Sequence, residues 1–236
     1  MPKRGRPLDH ESETRKCDAR FNELFNVNTD QPFYSAGRCN VGYNMHVTPA
    51  LSRDRIREFE AFSNFYPCPH GVNIDNVTYA TSEHAFQALR WMVPLSDDTK
   101  DTSALRKEYV ERIAFASTPS QAFFLHKFVE FTKKGELSNS APMPDHVFRP
   151  LREYMNEMYN KGLRKFPPNP IRDWTIMVRC VGAKFQQNPE LMSILKSTGT
   201  KRIVEHTTRD AVWGDNGDGT GLNQLGECLM SIRDES

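Results

Sequence analysis

Trp174, Met177, Val178, Val181 and Phe185 recur at the i, i+3, i+4, i+7 and i+11 spacing of one helix face, a run that constrains the chain more than any other. A stripe of large apolar side chains that long has to be buried, so the segment is a core helix of a folded domain. Ser82 to Met92 shows the same signature on a shorter scale. Ala85, Ala88, Leu89 and Met92 share one stripe, Glu83, Gln87 and Arg90 share another face, and Pro94 stops the run. Ahead of it, Phe62 to Pro67, Val72 to Ile74 and Val77 to Tyr79 read as short strands and turns. Helical patterns continue from Pro119 to Lys133 and from Leu151 to Leu163, separated by breakers in 135–144 and 167–170. Asn188 as N-cap and Pro189 at the first helical position open a short helix that ends before Gly199. Ile203-Val204 makes a further strand, Trp213 to Gly221 a Gly/Asp loop, and Leu222, Leu225, Leu229 and Ile232 a final helix. The fold class expected is α+β, mainly helical, with a small β-sheet.

A chain of 236 residues suits one enlarged domain rather than two small ones. Residues 1–20 are charged and hold no large apolar residue except Leu8, so a disordered tail is expected there and a single domain over 21–236. Within that tail, Lys3-Arg4-Gly5-Arg6-Pro7 is similar to the Arg-Gly-Arg-Pro core that lies in the minor groove of A·T-rich DNA. Thirty-one Lys and Arg against 30 Asp and Glu exclude nucleic-acid binding by bulk charge, so any such contact is local. The five cysteines are widely spaced with no CxxC, which favours reduced thiols and an intracellular, cytoplasmic or nuclear, setting. The charged start is no signal peptide, and no run is apolar enough to span a membrane, so no membrane partner is expected.

Three features have chemical potential. In the Trp213 to Gly221 loop, Asn216, Asp218, Thr220, Gly221 and Glu227 mimic calcium-loop spacing, but the first ligand should be Asp and no helix precedes it. The loop reads either as a surface turn or as glycines that let backbone N–H groups approach an anion or sugar, with Trp213 placed to stack on a base. Glu83 sits in the first turn of its helix, where the dipole keeps a carboxylate ionised. Lys184 lies on the edge of the Met177/Val181 stripe, where partial desolvation lowers an amine's pKa toward that of a nucleophile; the alternative is a snorkelling lysine. Seven histidines show no metal-ligand spacing, and no nucleotide or cofactor fingerprint is present, so neither a metal nor a cofactor is expected.

Seven motifs in order resemble the NADAR (YbiA-like) family. They are Phe62-Ser63-Asn64-Phe65, Tyr79 to Ala88, Arg172-Asp173-Trp174, Ala183-Lys184-Phe185, Val204 to Thr207, Asp210 to Asp215 and Gly221 to Met230. They cover roughly 59–92 and 171–233. The stretch 93–170 is an enlarged helical region that, with 1–58, inherits no function. The resemblance implies an N-glycosidase cutting a ribose C1'–N bond, acting on phosphoribosylated intermediates of riboflavin synthesis or removing ADP-ribose from guanine in nucleic acid. ADP-ribosylated nucleic acid is the preferred substrate, given the extra length and basic tail; a non-catalytic ADP-ribose reader is the third reading, and a monomer is expected. Such a bond needs a carboxylate near C1', aromatic platforms, and cations or N–H groups for phosphate. The resemblance implies Glu83 as main carboxylate and Asp210 as second acid or ribose ligand. Trp174 and Trp213 become platforms, Asn64, Gln87 and Asn223 hydrogen-bonders, and Arg172 with the loop from Gly214 phosphate contacts. Ser63, Phe65, Tyr79 and Asp215 complete the expected binding set. Lys184 opens a Schiff-base route as an alternative to direct attack by water.

Overall fold

The structure is a computed structural model and describes residues 45–48, 57–93, 99–127, 145–165 and 168–236. In chain order its strands are β1 (Met45–Thr48), β2 (Val72–Ile74), β3 (Val77–Tyr79) and β4 (Arg202–Glu205). Its helices are α1 (Ser82–Met92), α2 (Lys100–Ala114), α3 (Pro119–His126), α4 (Asp145–Asn160), α5 (Pro170–Gln187), α6 (Pro189–Lys196) and α7 (Gln224–Asp234), with a 3-10 helix at Arg57–Phe62. The expected tail at 1–20, the aromatic residues at 21–34 and the breaker segment 135–144 lie outside the described residues. Within the span expected as a single domain, the described residues pack as two compact units, one of 64–189 and one of residues up to 63 with 190–236.

In the 64–189 unit, β2 and β3 form an antiparallel hairpin in which Val72 faces Tyr79 and Ile74 faces Val77. Its turn residues Asp75 and Asn76 both have positive φ, +53° and +65°, the two-residue geometry that matches strand twist and that Asp and Asn tolerate. The hairpin leads to α1, whose N-cap Thr81 accepts the His84 N–H. Helices α2, α3 and α5 all pack on α1. The expected stripe is therefore only part of what α1 buries: Glu83 and Gln87 are buried too, whereas Met92 is 47% exposed. On α5, Met177, Val181 and Phe185 are buried as predicted, but Val178 turns outward and Cys180 and Lys184 take the inward positions.

Three further helix starts carry a local capping signal. Thr99 and Thr102 form a capping box on α2, Thr118 and Pro119 open α3, and Asn169 and Pro170 open α5. The far end of α5 is tied to the hairpin. Gln187 accepts the Asn73 N–H at 2.6 Å and donates to the Asn73 carbonyl at 2.9 Å. Asn188 accepts the His70 N–H at 2.9 Å and donates to the Gly71 carbonyl at 2.9 Å and to the Lys184 carbonyl at 2.7 Å.

In the other unit, β1 and β4 pair antiparallel, Met45 facing Glu205, and α7 packs on β4. Asn223, held at φ +50°, accepts the Glu205 N–H at 2.9 Å and donates to the Ile203 carbonyl at 2.9 Å, so one buried amide pins β4 to the start of α7. Gly226 is required beside it, since a Cβ there would lie 2.2 Å from the Ile203 carbonyl oxygen. Asn223→Ala leaves two buried backbone groups unsatisfied, and is expected to lower stability by about 2–4 kcal/mol, read as a fall in the urea midpoint. A loss below about 1 kcal/mol would show that β4 does not depend on this amide.

Candidate active site

On α1, Glu83, Gln87 and Arg90 fall at i, i+4 and i+7, so their side chains form one row. Gln87 Nε2 donates to Glu83 Oε1 at 2.7 Å, and Arg90 Nη1 donates to Gln87 Oε1 at 3.4 Å. Arg90 then crosses to α5, where Nη2 meets Asp173 Oδ2 at 2.8 Å. The other oxygen of Asp173 accepts Arg172 Nη2 at 3.0 Å and Nε at 3.2 Å. Arg90 Nη1 also lies 3.0 Å from Nε2 of His126 on α3. A guanidinium can only donate, so that imidazole nitrogen accepts. Burial, reinforced by the cations Arg90, Lys165, Lys127 and Arg172, holds His126 well below its ordinary pKa.

Arg90 near the end of α1 meets Asp173 in the first turn of α5, so the two helices run antiparallel. Asn64 agrees with this: its carbonyl accepts the Glu83 N–H at 2.9 Å while its Nδ2 lies 3.2 Å from Met177 Sδ. Asp173, Met177, Cys180 and Lys184 follow at i, i+4, i+7 and i+11, which puts Lys184 on the same face of α5, toward the end that faces the start of α1.

Glu83 is 4% exposed and Lys184 fully buried. The helix dipole was expected to keep Glu83 ionised. Loss of water outweighs it, and burial raises the carboxyl to about 7 against the favourable pull of Gln87 and Arg90. Burial likewise lowers Lys184 to about 8, with Cys68 pulling the other way. The amine lies 5.8 Å from the Tyr66 ring centroid and 5.3 Å from that of Phe185, so the lysine is a core residue and not a snorkelling one. Between pH 7 and 8 the 64–189 unit therefore buries both a carboxyl and an amine whose neutral forms are appreciably populated.

The remaining expected residues divide. Gln87 joins Glu83 directly and Arg172 joins the same network through Asp173. Trp174 and Phe65 are half-buried, the latter 6.2 Å from the Phe123 ring, and Tyr79 is buried with its phenol pushed up by desolvation. Asn64 departs from its expected ligand role: Oδ1 accepts the Ser82 hydroxyl at 2.9 Å and Nδ2 is on Met177, so its amide holds the protein together. Ser63, Asp210, Trp213, Gly214, Asp215 and Asn223 belong to the other unit. Ser63 is buried there, its N–H on the Glu60 carbonyl.

The glycine loop is not the open anion cradle expected from its composition. Asp210 Oδ1 takes the N–H groups of Val212 and Trp213, each at 2.9 Å, and Asp215 Oδ1 those of Thr207 and Gly217 at 3.0 and 2.9 Å. The N–H groups of Asp215, Asn216, Gly219, Gly221, Leu222 and Asn223 all bond to carbonyls within 205–215. Asp215 Oδ2 also meets His206 Nδ1 at 2.6 Å, and the Asn223 amide is spent on β4. A Cβ on Gly214 would come within 2.4 Å of the Thr207 methyl, and one on Gly221 within 2.3 Å of the Gly214 carbonyl oxygen. These glycines serve close packing, and half-buried Trp213 at the loop's edge is left as its candidate contact surface.

Sequence reasoning passed over Asp173 and His126. Asp173 had a usable signal, an acid in phase with Met177 and Lys184 on a core face; His126 had none, since its role depends on where α3 docks. Among the described residues no group of three His, Cys, Asp or Glu side chains is arranged to hold a metal, and no helix is long and apolar enough to cross a membrane.

The geometry therefore defines a mainly helical α+β protein that buries a carboxyl and an amine in one helical unit. The NADAR domain matches residues 52–235, and the chain belongs to that family. It is 30% identical over 178 residues to N-glycosidase YbiA of Escherichia coli (strain K12), covering 75% of this chain and 82% of that one. An NMR structure of the E. coli protein YbiA aligns at 27% identity with a TM-score of 0.46, covering 77% and 80% of the two chains. The chain is 29% identical over 209 residues to Riboflavin biosynthesis protein VVA0006 of Vibrio vulnificus (strain YJ016), covering 86% of this chain and 43% of that one.

The raised Glu83 pKa has a stability consequence. A group that holds its proton more tightly when folded stabilises below its unfolded value near 4.5, and that stability is lost as pH rises through about 7. Glu83→Gln removes the charge and keeps an acceptor for Gln87. It is expected to be near neutral at pH 4 and stabilising by on the order of 3 kcal/mol at pH 8, measured by urea unfolding at both pH values. Equal effects at the two would mean that the buried carboxylate carries no such penalty.

Proposed function

We propose that this chain is an N-glycosidase that hydrolyses the ribose C1'–N bond, removing ADP-ribose from guanine bases of nucleic acid. One observation carries the reading: a buried Glu83 oriented by Gln87, with a proton to give near neutrality, on a bundle that also buries Lys184 as a depressed-pKa amine. Relatives named N-glycosidase support the reaction class. The enlarged 93–170 region, the basic tail and the arginine row around Asp173 favour a large anionic substrate. Phosphoribosylated riboflavin intermediates are the second reading, favoured by the riboflavin name of one relative.

In the lysine route, neutral Lys184 attacks C1' and the C1'–N bond breaks, its electron pair leaving on the base nitrogen as Glu83 delivers its proton there. Loss of a proton from the new secondary ammonium and ring opening give an imine, which water hydrolyses to free the sugar and the amine. In the water route, ionised Glu83 takes a proton from the water that attacks C1' as the C1'–N bond breaks, its electron pair leaving on the base nitrogen, which then takes up a proton from solvent, and Lys184 is a cation for phosphate. Within the 64–189 unit Trp174 is the aromatic platform; the roles expected from the resemblance for Trp213, as a platform, and Asp210, as second acid or ribose ligand, fall on the other unit.

The deciding experiment incubates the protein with an oligonucleotide ADP-ribosylated on guanine and, separately, with a phosphoribosylated riboflavin intermediate, identifying products by mass. Release of ADP-ribose from the oligonucleotide by the parent but not by Glu83→Gln is expected; cleavage of the small substrate alone would transfer the function to the second reading, and binding without cleavage would make the protein a reader. The routes separate by trapping. The lysine route gives kcat/KM a narrow maximum between about 7 and 8 and, with borohydride during turnover, an adduct that is absent in Lys184→Arg. The water route, which needs ionised Glu83 and charged Lys184, gives a maximum in the same range but no adduct.

A further inference from the structure

We infer that Arg90 and Asp173 are a positioning pair for Glu83: Asp173 on α5 fixes Arg90, Arg90 fixes Gln87, and Gln87 fixes both the direction and the proton affinity of the Glu83 carboxyl. The inference rests on the reading of Glu83 as the reacting acid, and extends the site to side chains that act through it.

Every link is a hydrogen bond of stated length, from Asp173 Oδ2 to Arg90 at 2.8 Å, Arg90 to Gln87 at 3.4 Å and Gln87 to Glu83 at 2.7 Å. Chemistry fixes the direction of each. Arginine can only donate, so Gln87 must turn its oxygen to Arg90, which leaves its NH₂ group facing Glu83. That NH₂ needs an acceptor, and a carboxyl oxygen meets the need whether or not the other oxygen carries the proton. Arg90 is held from both sides, by Asp173 and by the accepting nitrogen of His126. The chain thus stays the same through a catalytic cycle in which Glu83 gives and regains a proton.

The buried or half-buried charged and titratable groups on the elements packed against α1 include Asp173, Arg172, Cys180 and Lys184 from α5, His126 from α3, Arg106 and Tyr109 from α2, and Tyr79 from β3. Arg90 is the cation whose field reaches the Glu83 carboxyl. Asp173 carries the opposite charge and is ion-paired to that same guanidinium, so removing one member or the other is expected to move Glu83 in opposite directions, and the accompanying loss of kcat at nearly constant KM is what a merely structural pair would not give.

The test follows the Glu83 carboxyl carbon by NMR in ¹³C-glutamate-labelled protein, its resonance identified by loss in Glu83→Gln. Asp173→Asn removes an anion and leaves Arg90 unopposed, so the Glu83 midpoint is expected to fall by about one pH unit. Arg90→Gln removes the cation and is expected to raise it by a similar amount, and Arg90→Gln with Asp173→Asn falls between the two. On the cleaved substrate each variant is expected to lose about tenfold or more in kcat with KM within about threefold. A common midpoint in the folded variants overturns the pairing. Should Arg90→Gln fail to fold, Asp173→Asn and the charge-neutral double variant decide it alone. Opposite midpoint shifts with unchanged kcat would leave the pair standing and remove Glu83 from the chemistry, so failure of the inference and failure of the functional reading give different results.

Discussion

Withdrawal of a carboxyl and an amine from water inside one helical bundle is the constraint on which the 64–189 unit depends. Neither group is neutral at pH 7 in water; burial alone moves both toward that range, from opposite directions. Burial has to be enforced, because a chain that can let water in will do so. Helix α1 is enclosed by α2, α3, α5 and the hairpin. The ties from Gln187 and Asn188 to the strand backbone keep the lysine-bearing end of α5 from swinging away. Asn64, which joins the start of α1 to Met177, closes the same seam from the other side.

Much of this was legible in the sequence, because the signals involved are local. Pro189 and the short runs in Val72 to Tyr79 mark elements by chemistry acting within a few residues, and α1 matches its expected limits. Residues on helix faces were harder. Val178 lies in phase with the stripe yet faces outward, because α1 approaches from the side of Cys180 and Lys184. The charge state of Glu83 was misjudged for a related reason: the dipole is visible in one helix, whereas desolvation belongs to the whole bundle. Asp173 and His126 entered the site only through pairings across helices, which spacing along one chain segment does not encode.

Family membership and physical reading supply different parts of the account. The NADAR match over 52–235 and the N-glycosidase names of relatives bear on the reaction class. Distances and burial bear on which side chains have capacity left for a ligand. By that measure Asn64, Asp215 and Asn223 are committed to the protein itself, despite lying in motifs that carry the resemblance. A motif position can therefore be demanded by folding as strongly as by chemistry.

The closed loop after β4 illustrates what such commitment yields. Because most of its amides are satisfied by its own carbonyls and by Asp210, Asp215 and Asp218, its shape is held by bonds of its own. Ordering entropy is then lost during folding, once, rather than at each encounter. A base stacking on Trp213 would meet a surface already formed, so its association would show the small heat-capacity change of a rigid contact and not the larger one of a segment that folds as it binds.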